Sequence, residues 1–312
     1  MTDVVTIRTD TGIRQTGIDE TLFIKWLSYL DASEKTQATY TRAIKQFLIY
    51  LQANGISNPT REDIIAYKDK IAADHKPTTT NLYLMALKQF FKWTAQEAIY
   101  PNIAEHVKGA KLAKGFKKDN LTSKQAAKVL SGIDTGTLQG KRDYAIICLM
   151  LTTGLRTVEI TRADIGDIRT VGDFTALYIQ GKGHTDKDNY VKLPAQVEDA
   201  IRSYITCRGK ADDTEPLFTS IAHRNAGERM TTRSISRLVK EALISAGFNS
   251  DRLTAHSLRH TAATLNLLNG GTPEETMQLL RHANLNTTLI YSHALERAKN
   301  NSEDRIAGAI FA

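Results

Sequence analysis

Residues 256–293 read HSLRHTAATLNLLNGGTPEETMQLLRHANLNTTLIYSH, and this stretch decides the architecture of the second part of the chain. Its apolar residues recur at spacings of three and four, which predicts short helices near 257–268, 273–280 and 287–291. A Gly-Gly-Thr-Pro segment separates the first two helices. Arginine, histidine and tyrosine side chains are spread over the same blocks, so the stretch also supplies candidate site residues.

Upstream of this stretch, one segment breaks the helical pattern. TALYIQ (175–180) and NYVKL (189–193) alternate apolar and polar residues, and the polar GKGHTDKD joins them, which predicts a β-hairpin. Further helices are predicted at 124–130, 142–151, 195–207, 232–246 and 296–309. The second part is therefore predicted to be a mixed α+β domain, mainly helical with a small antiparallel sheet.

The first part of the chain shows helical periodicity alone. Four helices are predicted, at 18–30, 36–51, 61–71 and 78–93. Large apolar residues of the fourth helix form the expected core, whereas Lys88 and Lys92 lie four apart on another face. This part is predicted to be a small all-α domain with a basic face suited to phosphate contacts.

Length and composition limit the number of domains and the class of protein. A chain of 312 residues is long for a single core, so two domains are expected. The longest apolar run is far below the roughly 20 residues that cross a bilayer, and the N-terminus lacks a signal-peptide pattern. Two cysteines cannot form a disulfide framework. A cytoplasmic protein without membrane segments is expected.

The excess of basic residues favours an anionic polymer as the binding partner. The chain has 41 basic and 34 acidic residues, a formal charge of +7. Residues 1–118 hold 17 basic and 12 acidic residues, so most of the excess lies in the first third. The segment 107–118, VKGAKLAKGFKK, contains two glycines and no acid, and reads either as a basic connector that contacts phosphates or as a solvated linker. Its lysines are Lys108, Lys111, Lys114, Lys117 and Lys118.

A second group of residues suits the cleavage of a phosphodiester. Without a metal, this reaction requires cationic donors for the phosphate, a protein nucleophile and an acid for the leaving oxygen. TGLRTVEI places Arg156 at a helix start with Glu159 one turn later, and His256 and Arg259 lie one turn apart. The other candidates are Lys182 at the hairpin tip, His282, and Tyr291 nine residues after it. Singly, each could be an ordinary surface, capping or core residue.

Jointly, these residues strongly resemble the tyrosine recombinase (phage integrase) family. Its signature is an Arg in a TGLR..E segment, a hairpin Lys in GKG, an H.LRH segment, and a His followed nine residues later by Tyr. The first part, with TYTRAIKQFLIYL and LMALKQFFKW, resembles the family's core-binding (SAM-like) domain. Two domains with a short extension before them resemble Xer-like recombinases more than arm-binding integrases. The resemblance covers about the whole chain.

The resemblance implies a role for each candidate. Tyr291 would be the nucleophile, and Arg156, Arg259 and His282 would bind the phosphate. His256 would be a general base or a phosphate donor, Lys182 the general acid, and Glu159 a supporting carboxylate. Two departures stand out: Arg281 replaces the family's usual Gly and adds a cation near the phosphate or a DNA contact, and Lys187 is an alternative to Lys182.

The implied function is site-specific recombination of double-stranded DNA through a covalent 3′-phosphotyrosine intermediate, with no metal or other cofactor. The alternatives are relaxation of DNA by a type IB topoisomerase-like activity and a catalytically silent DNA-binding accessory protein. The implied domains are an extension (1–17), the helical core-binding domain (18–104), a basic linker (105–118) and the catalytic domain (119–312).

The C-terminal segment ERAKNNSEDRIAGAIFA begins polar and ends apolar. A chain end of this composition requires a pocket, because exposed termini otherwise fray. It could pack on its own catalytic domain. The resemblance favours docking on a neighbouring protomer in a homotetramer assembled on two DNA sites.

Overall fold

The computed structural model describes most of the chain. The described residues are 7–8, 14–15, 18, 20–112, 119–181, 185–209, 211–282, 284–285, 288–289, 291 and 301–311. The chain divides into two compact units, Met1–Gly115 and Phe116–Ala312. The mainly helical fold, with a helical N-terminal unit and a small antiparallel sheet in the second unit, confirms the predicted fold class.

The N-terminal unit consists of the four predicted helices. They are α1 (Glu20–Tyr29), α2 (Glu34–Ala53), α3 (Arg61–Asp74) and α4 (Pro77–Gln96), preceded by the paired strands β1 (Ile7–Arg8) and β2 (Arg14–Gln15). Aromatic side chains fill the core, and the rings of Trp26 and Phe90 meet edge to face at 5.5 Å. Lys88 is half-buried and Lys92 exposed on α4.

Capping residues fix where these helices begin. The Ser33 hydroxyl accepts from the Thr36 N–H at the start of α2. At the start of α3, the Asp63 carboxylate accepts from the backbone N–H of Thr60 at 2.7 Å. The absence of an N–H on Pro77 suits the first turn of α4.

The basic segment after α4 is not a flexible connector along its whole length, because its first residues are held by the N-terminal unit. Val107 is buried in the N-terminal core. Ala110 is held at both backbone groups by Asn81, through an N–H bond of 2.7 Å and a carbonyl bond of 3.0 Å. Lys108 and Lys111 are therefore exposed on anchored backbone. Lys114, Lys117 and Lys118 lie outside the described residues.

The second unit wraps helices around a buried central helix. Its helices are α5 (Ser123–Ser131), α6 (Leu138–Thr153), α7 (Thr157–Arg162), α8 (Ala195–Arg208), α9 (Thr232–Ser245), α10 (Ala255–Leu268), α11 (Pro273–Leu280) and α12 (Ser302–Phe311). The apolar run in α6 is buried because α8 and α10 pack against it. Among the described residues, no helix combines the length and apolar content needed to cross a bilayer.

A three-stranded sheet lies beside these helices. Its strands, β3 (Ile168–Val171), β4 (Phe174–Ile179) and β5 (Asn189–Lys192), are antiparallel in the order β3-β4-β5. The hairpin of β4 and β5 was predicted, with ends displaced by one residue. The pattern missed β3, because IRTV is short and its two central residues are exposed. Lys182 lies outside the described residues.

Gly154 ends α6 with left-handed backbone (φ 61°), and a Cβ there would lie 2.6 Å from a methyl carbon of Leu280. We expect Gly154→Ala to lower the free energy of unfolding by about 3 kcal/mol, from backbone strain and overpacking together. The matched control is Gly172→Ala, at φ 56° in open space, which should cost about 1 kcal/mol. Urea unfolding of both variants measures the difference. Equal losses would show that the contact with Leu280 is unimportant.

Candidate active site

The first element of the site is the junction between α6 and α7. Arg156 is the N-cap of α7, and Glu159 in the first turn accepts its backbone N–H at 2.7 Å. The other carboxylate oxygen of Glu159 accepts from the Arg156 guanidinium at 2.8 Å. Glu159 is fully buried, whereas the Arg156 side chain is 30% exposed. The carboxylate therefore fixes the Arg156 guanidinium at the surface.

Arg259 connects the segments that carry the other candidates. It lies in α10 and is 2% exposed. Its guanidinium donates to the Gly154 carbonyl at 2.5 Å and to the Leu280 carbonyl. Burial, followed by the charges of Arg156 and Arg281, lowers the pKa of Arg259 to about 9. The site is thus strongly electropositive.

His282 follows α11 and lies close enough to Arg156 and Arg259 for their charges to act on it. Its Nδ1 is 2.9 Å from the hydroxyl of the buried Thr288. Burial and the charges of Arg259, Arg156 and Arg281 lower the pKa of His282 to about 4. The imidazole is therefore neutral at neutral pH, and one ring nitrogen carries a hydrogen that can be donated.

Tyr291 has helical backbone and is 6% exposed. It packs with Ala263 and Leu280, and its ring lies 5.2 Å from that of His260. Burial raises the pKa of Tyr291, while the charge of Arg259 opposes this shift. The hydroxyl is therefore protonated at neutral pH and must lose its proton before it can attack.

The two histidines of α10 have different environments. His256 is exposed, and its ring meets the ring of His260 edge-on at 4.6 Å. Burial, then the charges of His256 and Arg259, lower the pKa of His260 to about 4. His256 is thus positioned where a ligand or solvent can reach it, whereas His260 is wedged between His256 and Tyr291.

Lys187, the alternative hairpin lysine, is held by carboxylates. Its ammonium pairs with Asp164 at 2.6 Å and with Asp167. Burial disfavours the charged form, but the hydrogen bonds to both carboxylates outweigh it and raise the pKa of Lys187. An ammonium held in this way releases its proton less readily than a free lysine.

The structure therefore brings together most of the residues selected from the sequence. They are Arg156, Glu159, Arg259, His282 and Tyr291, with His256 at the exposed side. Sequence reasoning missed His260 and Thr288. The spacing of His256 and His260, one turn apart on a helix, could have indicated the first. No local pattern distinguishes Thr288 from its neighbour Thr287.

We expect the second unit to lose stability as pH falls from about 6.5 to 4.5. The pKa of His260 and of His282 is about 4 in the folded chain and about 6.5 when unfolded. Across this window the unfolded chain binds protons that the folded chain does not, so the free energy of unfolding decreases. Glu159 and Asp164 have lowered pKa values, so their contribution is lost only below about pH 4.5.

Urea unfolding at about pH 7, 5.5 and 4.5 measures this slope. His260→Gln removes one of the two titrating groups and should flatten the dependence. A free energy of unfolding that is constant over this range would contradict the burial of both neutral imidazoles.

Family models match both units of the chain. The model of the phage integrase family matches residues 119–297, which include every residue of the candidate active site. The model of the phage integrase N-terminal SAM-like domain matches residues 22–100. The chain belongs to the phage integrase family.

Curated relatives are similar to this integrase-family chain over nearly its full length. Tyrosine recombinase XerA of Pyrococcus furiosus is 30% identical over 295 residues, covering 92% of this chain and 95% of the relative. Tyrosine recombinase slr0733 of Synechocystis is 28% identical over 299 residues, covering 90% and 91%. The chain is a tyrosine site-specific recombinase, which confirms the function predicted from the sequence at this level.

Solved structures share the fold of this recombinase. XerH site-specific recombinase bound to palindromic difH substrate, in a post-cleavage complex, superposes with a TM-score of 0.69 at 22% identity, covering 88% of this chain and 78% of that one. The Tn1549 transposon integrase in complex with transposon right-end DNA gives 0.70 at 18% identity, covering 94% and 99%. The architecture is thus retained at low sequence identity.

Proposed function

We propose that this recombinase cuts DNA through attack of the Tyr291 hydroxyl oxygen on a backbone phosphorus. The bond from phosphorus to Tyr291 forms, the bond to the 5′ oxygen breaks, and the DNA remains attached as a 3′-phosphotyrosine. His256 accepts the tyrosine proton and Lys182 protonates the leaving oxygen. A second 5′-hydroxyl then attacks the phosphotyrosine and reverses these transfers, so that the strands exchange without water or nucleotide.

The contacts of Arg259 are the main support for this proposal. Its guanidinium donates to the carbonyls of Gly154 and Leu280, which lie two residues before Arg156 and His282, respectively. Its positive charge also acts on Tyr291. A buried guanidinium in this position gathers two arginines, a histidine and a tyrosine at one electropositive place. Such a site stabilises the charge that develops on a phosphate during attack. The chemistry requires no cofactor.

We propose that double-stranded DNA with paired sites is the substrate. Among the structural relatives, XerH is bound to difH substrate, and a lambda integrase tetramer is bound to a Holliday junction. The N-terminal domain (18–104) and the basic linker (105–118) would contact phosphates, which position the protein without reading sequence. The lysines proposed for these contacts are Lys88, Lys92, Lys108, Lys111, Lys114, Lys117 and Lys118.

The test is covalent capture on a nicked suicide duplex. The duplex carries a site selected from a random pool by binding to the full chain, and the nick lets the short fragment with the new 5′-hydroxyl diffuse away after cleavage. We expect a protein–DNA adduct that survives denaturation, and exchange between two such sites. An adduct on the duplex, together with relaxation of a supercoiled plasmid that carries the site but no exchange between sites, would favour a topoisomerase. Binding without an adduct would indicate an accessory protein.

The C-terminal helix α12 suggests how protomers assemble. Three of its apolar side chains are exposed, Ile306 at 59%, Ile310 at 65% and Phe311 at 84%. Burial of such groups on another surface would be favourable, since each large apolar side chain contributes about 1.5–3 kcal/mol when fully buried. We propose a homotetramer on two DNA sites in which this tail docks on the neighbouring protomer.

Deletion of residues 303–312 should then leave the binding of one protomer to a half-site unchanged. Cooperative occupancy of a full site and strand exchange should both fall, by about tenfold or more, because the apolar contact between protomers is lost. Gel-shift titrations on half-sites and full sites measure both effects. Wild-type cooperativity in the truncated chain would show that the tail serves its own protomer.

A further inference from the structure

Arg281 has an unusual conformation for an arginine. It is the C-cap of α11, with left-handed backbone at φ 52° and ψ 49°. Its side chain turns inward and is 14% exposed. One Nη donates to the Leu279 carbonyl at 2.6 Å, and the other donates to Glu159 at 3.0 Å.

This arrangement carries three costs: strained backbone, burial of a charged group, and an Nε–H without a hydrogen-bond partner among the described residues. Left-handed backbone costs a non-glycine residue about 1–2 kcal/mol. The guanidinium is largely buried, and its Nε–H has no hydrogen-bond partner among the described residues. A glycine at this cap would avoid all three. Strain of this kind persists mainly where the residue has a task at a functional site.

The charges around Glu159 indicate the task. The carboxylate is fully buried and pairs with both Arg156 and Arg281. With Arg156 alone it would form a neutral pair, and the charge of Arg156 would be cancelled at the place where a phosphate must bind. With Arg281 the three groups carry a net charge of +1. Burial alone would raise the pKa of Glu159, but the charge of Arg281 is the largest effect that lowers it.

We propose that Arg281 is a positioning residue for Arg156: through the shared carboxylate of Glu159, it keeps Arg156 oriented and its positive charge available to the scissile phosphate. This inference rests on the active site proposed above. It assigns Arg281 no direct contact with DNA.

The test is a double-mutant cycle of single-turnover cleavage on the suicide duplex, with the full-length chain. Arg281→Gly relieves the left-handed strain while removing the charge, and we expect cleavage to slow by about 10–100-fold with half-site affinity within about twofold. Arg281→Lys retains the charge and should recover most of the rate. In a Glu159→Gln background, no carboxylate is left to cancel Arg156, so Arg281→Gly should cost less than about threefold.

Other outcomes would overturn the proposal. Equal losses from Arg281→Gly in both backgrounds would mean that Arg281 does not act through Glu159. A weaker half-site affinity with a salt slope reduced by about one would make it a DNA ligand. If Arg281→Gly fails to fold, Arg281→Gln and Arg281→Lys are compared: equal rates reject the proposal, and a faster Lys variant supports it.

The proposed function and this inference can be separated. Absence of an adduct with the wild-type chain would reject the proposed function, and the role of Arg281 with it. If the wild-type chain forms the adduct and every Arg281 variant forms it at the same rate, only the role of Arg281 is rejected.

Discussion

Tyr291→Phe is expected to abolish covalent attachment to DNA while half-site affinity stays within about twofold. The substitution removes one oxygen and leaves the ring, which packs with Ala263, Leu280 and His260. No other atom of that side chain can form a phosphoester. Denaturing gels of the suicide reaction measure the adduct, and gel shifts measure the affinity.

The matched control is Tyr29→Phe, the same chemical change at an exposed tyrosine of α1 in the N-terminal unit. It should cleave at the wild-type rate. An adduct in Tyr291→Phe would show that another residue is the nucleophile. Loss of binding together with the adduct would mean that the hydroxyl supports the fold.

Arg259→Lys is expected to slow cleavage by about 100-fold or more. The guanidinium reaches the Gly154 and Leu280 carbonyls together from a 2% exposed position. An ammonium is a point charge with no planar fork, so it cannot span both carbonyls and also face a phosphate. Single-turnover rates on the suicide duplex measure this loss, and Arg156→Lys should behave similarly.

Arg202→Lys provides the comparison, since Arg202 is a surface arginine of α8 paired with Glu198. Its rate should stay within about twofold, because exposed ion pairs contribute little. Near-normal cleavage by both Arg259→Lys and Arg156→Lys would remove these arginines from the active site.

The local pattern of the sequence was sufficient for most of the fold. The helices of the N-terminal unit and the β4–β5 hairpin were predicted because apolar periodicity, capping residues and turn residues act over a few positions. Strand β3 was missed because a four-residue edge with half-buried ends has a weak alternating pattern, and its pairing partner identifies it. The anchoring of Ala110 by Asn81 joins residues 29 apart and has no local signal.

By itself, the sequence determined the fold class, the family and the selection of site residues, since these follow from residue types at short spacings. Only the tertiary structure decided which carboxylates hold Lys187, that His260 lies against Tyr291, and that Arg281 shares Glu159 with Arg156. Such contacts connect positions up to 122 residues apart. Their energy depends on burial and on the sum of nearby charges, and neither quantity exists until the chain has folded.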